Sequence, residues 1–430
     1  MRLILVDRPG PDRRNFYPLA LSRPVFELRL GMTTLAQKLV RRCGAGDVAC
    51  FVPPYLAEVY RAGTPWPVND AGKLGGEDLL VVDGRVKASA PGLAGPSGPS
   101  RVALDAAGQV LVAWIRREDL PRLDAGSIDS LLQSARQTFP AGGEAAPTWN
   151  YTWDLVLANP AELTEDFRVA GRSGNEGQVE EPNALRGSRS DVYIAPGVRV
   201  HPMVVIDAEH GPVYIDEGAE IHPFTRIEGP CYIGRKSILL GAKCREGNSI
   251  GPMCRVGGEV EESIIHGYSN KYHDGFLGHA YVGQWVNLGA LTTNSDLKND
   301  YSRVSVTLDG RTAIDTGSTK VGALVGDHTK TSIGCLLNTG ACVGAMALIA
   351  TTGRLLPKFI PSFAWLVEGV VTKGFGRKSL YQTAATAMGR RNCRWTPADE
   401  ALWEEVFRIT AAERGEAVDK GRRAMAAAAR

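Results

Sequence analysis

The sequence predicts a Rossmann-like α/β domain, then a left-handed parallel β-helix built on hexapeptide repeats, then C-terminal helices. Three observations carry this reading. Short apolar runs alternate with helical spacing in the first part of the chain. Aliphatic residues then recur every six positions, often followed by glycine or a small polar residue. Glycine is abundant, 49 of 430 residues, as a turn-rich architecture needs. The length exceeds one typical domain. Apolar residues make up 44% and charged residues 22%, which describes a globular chain rather than a disordered one. A net charge of +2 argues against a generally basic nucleic-acid binder.

The expected division is 1–182, a linker at 183–190, the β-helix at 191–355, and an extended exit with helices at 356–430. In the first part Met1 to Val6 is one short apolar run before Asp7, so it reads as a buried strand and not as a signal peptide. No window of about 18 apolar residues occurs, which excludes a membrane-spanning helix. Eight scattered cysteines without a C-x-x-C pair read as buried free thiols of a cytoplasmic protein. Thr33 to Cys43 carries helical spacing in Leu35, Leu39 and Val40. Val48 to Val52 is a second strand. Leu79 to Asp83 is a third, ending in an acid before Gly84. Leu93 to Ser100 is a loop, and Thr152 to Leu163 has mixed helical character. The expected sheet is mostly parallel and open, with ligands at the carboxyl ends of its strands. Asp83 stands at such an end. The polar stretch Gly171 to Arg189 reads as a linker.

The hexapeptide series runs Ile194, Val200, Ile206, then Ile215, Ile221, Ile227, Ile233 and Leu239, then Ile250 and Val256, Val282 and Leu288, Val321 and Ile333. Each aliphatic points into a prism, and the next residue turns a corner where glycine avoids Cβ strain. The series is interrupted at about 257–281 and 291–320, which predicts excluded, functional loops. Pro357 to Phe363 reads as an extended exit. Ser379 to Arg390 and Pro397 to Ala429 read as helices, with Thr396-Pro397 as N-cap and first position. The stripe Leu402, Trp403, Val406 and Phe407 is expected to pack on its own chain or on a neighbouring subunit.

The densest polar cluster, Ser269 to His279, falls in the first interruption. A histidine there suits general-base work, because its pKa lies near neutrality. His273, beside Lys271, supplies a base and an anion contact together, and His279 competes for the role. Acyl transfer from a thioester needs such a base, and coil backbone N–H groups can serve the developing oxyanion.

These residues carry a resemblance. Asn270-Lys271-Tyr272-His273, Phe276-Leu277-Gly278, Val282-Gly283 and Val286-Asn287-Leu288-Gly289-Ala290, then Asn294, resemble the acetyltransferase domain of the bifunctional N-acetylglucosamine-1-phosphate uridyltransferase/glucosamine-1-phosphate acetyltransferase family. The resemblance implies that His273 is the base and that Phe276, Asn287 and Asn294 stand where the family contacts the sugar phosphate. Asn15 to Gly31, Gly326 to Gly334 and Pro357 to Phe363 resemble a variant branch of sugar nucleotidyltransferases with a β-helix tail. It implies a nucleotidyltransferase-like first domain, an NTP and a sugar 1-phosphate as substrates, acetyl-CoA as co-substrate, and a homotrimer. Nucleotidyl transfer would need Mg²⁺ on oxygen ligands, for which Asp83 at its strand end is the geometric candidate and Asp154 and Asn159 are weaker ones.

The sequence departs from the main family in three places. It lacks the Gly-rich phosphate loop after the first strand, so Arg13, Arg14, Arg23 and Arg29 are the candidates for phosphate, Arg23 and Arg29 foremost. Phe276 replaces a tyrosine. Glu259, Glu261 and Glu262 stand where the family places lysines, with Arg245 and Arg255 as the compensating cations. The leading expectation is a two-activity enzyme making UDP-N-acetylglucosamine. Two others stay open: one active domain with the other degenerate or regulatory, and a non-catalytic β-helix assembly protein.

Overall fold

Leu3, Ile4, Leu5 and Val6 have almost no solvent exposure, as expected of a strand inside a parallel sheet. They form β1 (Arg2–Val6). The computed structural model describes residues 1–142 and 146–428. By contacts the chain divides into two units. The first comprises Met1–Phe16, Ser22–Leu28 and Thr33–Asn150, and the second Tyr17–Leu21, Arg29–Met32 and the chain from Tyr151 onward.

The first unit continues with α1 (Leu35–Cys43), β2 (Asp47–Phe51), β3 (Leu79–Asp83), β4 (Arg101–Leu104), β5 (Val110–Ile115) and α2 (Ile128–Thr138). Thr34 and Gln37 close a capping box on α1, and Gly44 ends it at φ +60°. The strand order is β2-β1-β3-β5-β4. The first three strands are parallel, whereas β5 runs antiparallel to β3 and to β4. The sheet is thus mixed, because the short turn from Asp105 to Gln109 can only return the chain antiparallel.

From Tyr151 onward the second unit consists of α3 (Thr152–Ala170), a parallel β-solenoid of about 11 turns and the C-terminal helices. Coils begin earlier than expected. Gly174–Asn175, Gln178–Val179 and Ala184–Arg186 pair in parallel with Val192–Ile194, Arg199–Val200 and Val205–Asp207. The stretch expected as a linker is the first coil, and it is polar because a terminal coil is covered on one side only.

The first expected interruption, 257–281, is also coil. Ile250 pairs with Ile265 and Ile265 with Val282, steps of 15 and 17 residues, against 18 from Ile215 to Ile233. Shortened coils hide the six-residue period without breaking the stack. The second interruption is a real insertion, carrying the antiparallel hairpin Ser305–Thr307/Ala313–Asp315. Ile333 departs from the inward series: it is 66% exposed, while Thr331 and Cys335 take the buried positions.

Pro357 to Phe363 is no exit either. Phe359–Ile360 pairs with Cys342–Val343, and Trp365–Val367 with Leu348–Ala350. The chain then reverses, and Val370–Thr372 pairs antiparallel with Trp365–Val367. Three helices follow: α4 (Arg377–Gly389), α5 (Pro397–Ile409) and α6 (Ala411–Ala428). Thr396 caps α5 in a box with Asp399. The α5 stripe packs on its own chain, with Phe407 and Trp403 edge-on to Phe363 at 5.1 and 6.1 Å. Ala429, at the end of the expected helical span, lies outside the described residues. Seven of the eight cysteines are buried and all are unpaired, as expected.

Candidate functional site

In the first unit, Val6 and Asp83 are register partners at the carboxyl ends of β1 and β3, so Asp7 and Asp83 emerge side by side. Asp7 accepts from Arg13 Nε at 2.9 Å and from the Val25 amide at 3.3 Å. Its burial pushes the carboxyl pKa up, only partly offset by Arg13. Asp83 Oδ1 accepts from the Arg85 amide and Nε, both at 3.0 Å. Its Oδ2 faces Arg85 Nη2 at 3.4 Å and Arg8 Nη2 at 3.5 Å. Arg85 also pairs with Asp12 at 3.0 Å.

Both oxygens of Asp83 are thus held by guanidinium groups. That donor set does not fit Mg²⁺, which needs carboxylate oxygens free to coordinate. It suits the charge of phosphates, held by arginine forks at strand ends. Arg23 is buried in this unit, and its carbonyl accepts from Arg13 Nη2 at 3.2 Å. Arg29 belongs to the second unit, where Nη1 donates to Met32 O at 2.7 Å and the guanidinium lies 5.6 Å from the Tyr232 ring centre. Asp154 accepts from the Tyr151 amide at the start of α3. Asn159 is fully buried, donates to Gly247 O and accepts from the Gly31 amide, both at 2.8 Å, so it ties α3 to the coils. Asp7, Arg8 and Arg85 were not singled out from sequence, although Asp7 ends its apolar run as Asp83 does.

In the solenoid, Arg255, Asn270, Asn287 and Lys330 stack in register on one face of successive coils. The next inward position after Asn270 is Lys271, which is buried inside the coil and does not reach outward as an anion contact would. Its Nζ donates to Gly257 O at 2.8 Å and His273 O at 2.6 Å. Desolvation pulls the ammonium down to about 8. His273 follows on an exposed corner, its ring edge-on to Tyr272 at 5.4 Å. It is not on a projecting loop, because the coil is continuous there. Phe276 starts the next strand, half-buried.

His279 has both ring nitrogens engaged, Nδ1 with Asp296 at 2.8 Å and Nε2 with Glu262 at 3.3 Å. Burial lowers its pKa, but these carboxylates outweigh that and push it up to about 9. Held protonated, it has no lone pair to offer as a base. Asn294 is buried, with its amide donating to Gly278 O and accepting from Gly278 N, both at 2.9 Å, which leaves it a structural role. Arg245 is paired with Glu261 at 2.8 Å.

Arg255 and Asn287 do come together. They line a cavity of about 450 Å³ under α4, with Tyr268, Asn270, Trp285, Lys330, Arg390 and Arg391. Arg391 Nη2 donates to Asn270 Oδ1 at 2.9 Å, and Asn270 Nδ2 to Asn287 Oδ1 at 3.2 Å. Burial, with Arg255 and Arg390 beside it, holds the Arg391 guanidinium below its ordinary range. Burial likewise brings Lys330 down to about 8. Four cations and no carboxylate line this cavity, so an anion entering it relieves their repulsion. Arg390 and Arg391 follow α4, beyond the reach of the hexapeptide pattern that pointed to the coils.

Residues 3–173 match the family model described as sugar nucleotidyl transferase. A bifunctional sugar-1-phosphate nucleotidylyltransferase/acetyltransferase of Sulfurisphaera tokodaii is 36% identical over 91 residues, 21% of this chain and 22% of its own. Bifunctional protein GlmU of Rippkaea orientalis is 30% identical over 146 residues, 33% of this chain and 30% of its own. The same-named protein of Acaryochloris marina is 26% identical over 203 residues, 46% and 37%. The matches span well under half the length of these curated relatives. Among the described residues no helix is long and apolar enough to cross a membrane. The resemblance read from the motifs is borne out: residues 3–173 match the sugar nucleotidyl transferase family, and the similarities point to a transferase.

Proposed function

We propose that this chain carries two sugar-phosphate activities. The solenoid transfers an acetyl group from acetyl-CoA to the amine of an amino-sugar 1-phosphate. The single observation that carries this is the exposed His273, whose carbonyl is pinned by Lys271 directly beyond the cation-rich face. His273 takes the proton from the amine as nitrogen attacks the thioester carbonyl. The C–S bond breaks, and the thiolate leaves with a proton. Arg255, Asn287 and Arg391 hold the phosphate.

The first unit joins an NTP to a sugar 1-phosphate. The sugar phosphate oxygen attacks the α-phosphorus and pyrophosphate leaves, with Arg8 and Arg85 neutralising charge. Mg²⁺ enters the assay with the nucleotide, and no residue is assigned to it. UDP-N-acetylglucosamine is the product on this reading, made by a cytoplasmic homotrimer.

Mass spectrometry of one reaction tests it, with protein, Mg²⁺, acetyl-CoA, glucosamine 1-phosphate and UTP. UDP-N-acetylglucosamine is expected, and His273→Ala stops the acetyl step with the fold intact. No acetylated product from any amino-sugar phosphate would sink the reading. The neutralisation of Asp83 by arginines favours a second reading, with only acetyl transfer active. Its mark is N-acetylglucosamine 1-phosphate accumulating without pyrophosphate. The mass in solution checks the trimer.

A further inference from the structure

A third cluster lies on the early coils, apart from the candidate acetyl-transfer residues. Val179, Val200 and Ile221 are register partners in three successive coils. The residues that follow them, Glu180, His201 and His222, therefore stack on the outer surface. Successive parallel strands lie about 4.8 Å apart, and the two imidazoles sit 5.0 Å centre to centre. Glu220 precedes the buried Ile221, so its side chain points outward like that of His222. Its Oε1 lies 3.0 Å from His201 Nε2 and 3.5 Å from His222 Nε2. The donor atoms of His201, Glu220 and His222 all lie within 4.8 Å of one another.

Ligands at about 2.0–2.1 Å around a tetrahedral ion are separated by roughly 3.4 Å, the spacing found around this carboxylate. The other nitrogen of His201, Nδ1, faces Glu180 Oε1 at 3.5 Å. A carboxylate behind a ligating imidazole fixes its tautomer and turns Nε2 toward the metal. The imidazoles are 20% and 32% exposed, so an ion has access.

We propose that His201, Glu220 and His222 bind a divalent transition-metal ion of the zinc class, with Glu180 as the positioning residue behind His201. Two imidazoles and one carboxylate select such an ion over Mg²⁺ or Ca²⁺, which prefer all-oxygen sites. Three protein ligands leave a fourth position for water or a ligand atom. The site stands whether or not the chain transfers acetyl or nucleotidyl groups.

The test uses the full chain, stripped with chelator, loaded with Zn²⁺ or Co²⁺ and desalted. One ion per chain by elemental analysis is expected, with the visible absorption of tetrahedral Co²⁺. His201→Ala and His222→Ala weaken binding at least about ten-fold, and Glu180→Gln by about ten-fold. Zn²⁺ raises the Tm of the wild type and not that of the double histidine variant. Should an alanine variant misfold, Glu220→Gln, which keeps the shape, serves in its place. Wild type that retains no more metal than the double variant overturns the proposal, leaving an ion-pair ladder. So does equal retention of Mg²⁺, or affinity that none of these substitutions changes.

Discussion

Lys271 stands where the coils on either side place Val256 and Leu288. A buried ammonium is tolerated because two backbone carbonyls receive it. Lys271→Met fills the same space without charge and frees the His273 carbonyl. On the proposed mechanism kcat for acetyl transfer falls at least about ten-fold, since small misplacements of a base are costly. Thermal melting stays within a few degrees. An unchanged kcat means that Lys271 does not position the corner. His279 makes a prediction with a sign. Its pKa rises from about 6.5 unfolded to about 9 folded. Its ion pairs therefore contribute fully below about pH 6.5 and fade as pH rises through 9. His279→Gln is expected to cost up to about 3 kcal/mol at pH 6 and far less at pH 10, read by urea unfolding at both. Equal costs at the two values would count against the ion pairs. The residue types at this corner were legible in the sequence, but their directions were not. A motif puts Lys271, His273, His279 and Asn294 on one stretch of chain, and only coil geometry separates the exposed histidine from three buried groups.

At the scale of elements, the cavity under α4 is the feature the repeat could not announce. Its arginines come from one coil strand and from the residues after a helix that shares no pattern with the coils. Arg391→Glu is expected to raise KM for the phosphate-bearing acceptor more than about ten-fold, with kcat little changed. Arg245→Glu, whose partner is Glu261, serves as the contrast and leaves KM within about two-fold. Steady-state kinetics at two salt concentrations separates them, because the cavity's effect is electrostatic and screened. Equal KM changes in both variants refute the assignment. The coils were legible where a turn takes 18 residues, and even across the 17 from Ile233 to Ile250, but not across the 15 from Ile250 to Ile265, because a turn three residues short throws the six-residue period out of phase. The polar first coil was missed for a different reason: a terminal turn has less to bury.

At the scale of the whole molecule, the proposed chemistry divides between two units of the chain. Asp83→Asn removes the carboxylate that Arg8 and Arg85 share and is expected to lower pyrophosphate release at least about ten-fold, with acetyl transfer within about two-fold. His273→Ala does the reverse. Both activities are measured on each variant, and loss of both in either one refutes the division. The strand–helix alternation and the coil stack were both readable from spacing. The mixed sheet was not, because strand direction depends on turn length rather than on apolar pattern.

The antiparallel return of Val370–Thr372 onto Trp365–Val367 has a consequence for growth. A parallel stack of coils has no intrinsic end, since its last turn offers the same unpaired amides and carbonyls as every turn before it. Reversing the chain gives one face of that rim a partner running the wrong way for another coil, and α6 lies over the reversed strand. A chain cut after Val367 presents an open rim that another molecule's strand can extend, and its expected fate is head-on fibre formation where the intact chain stays dispersed.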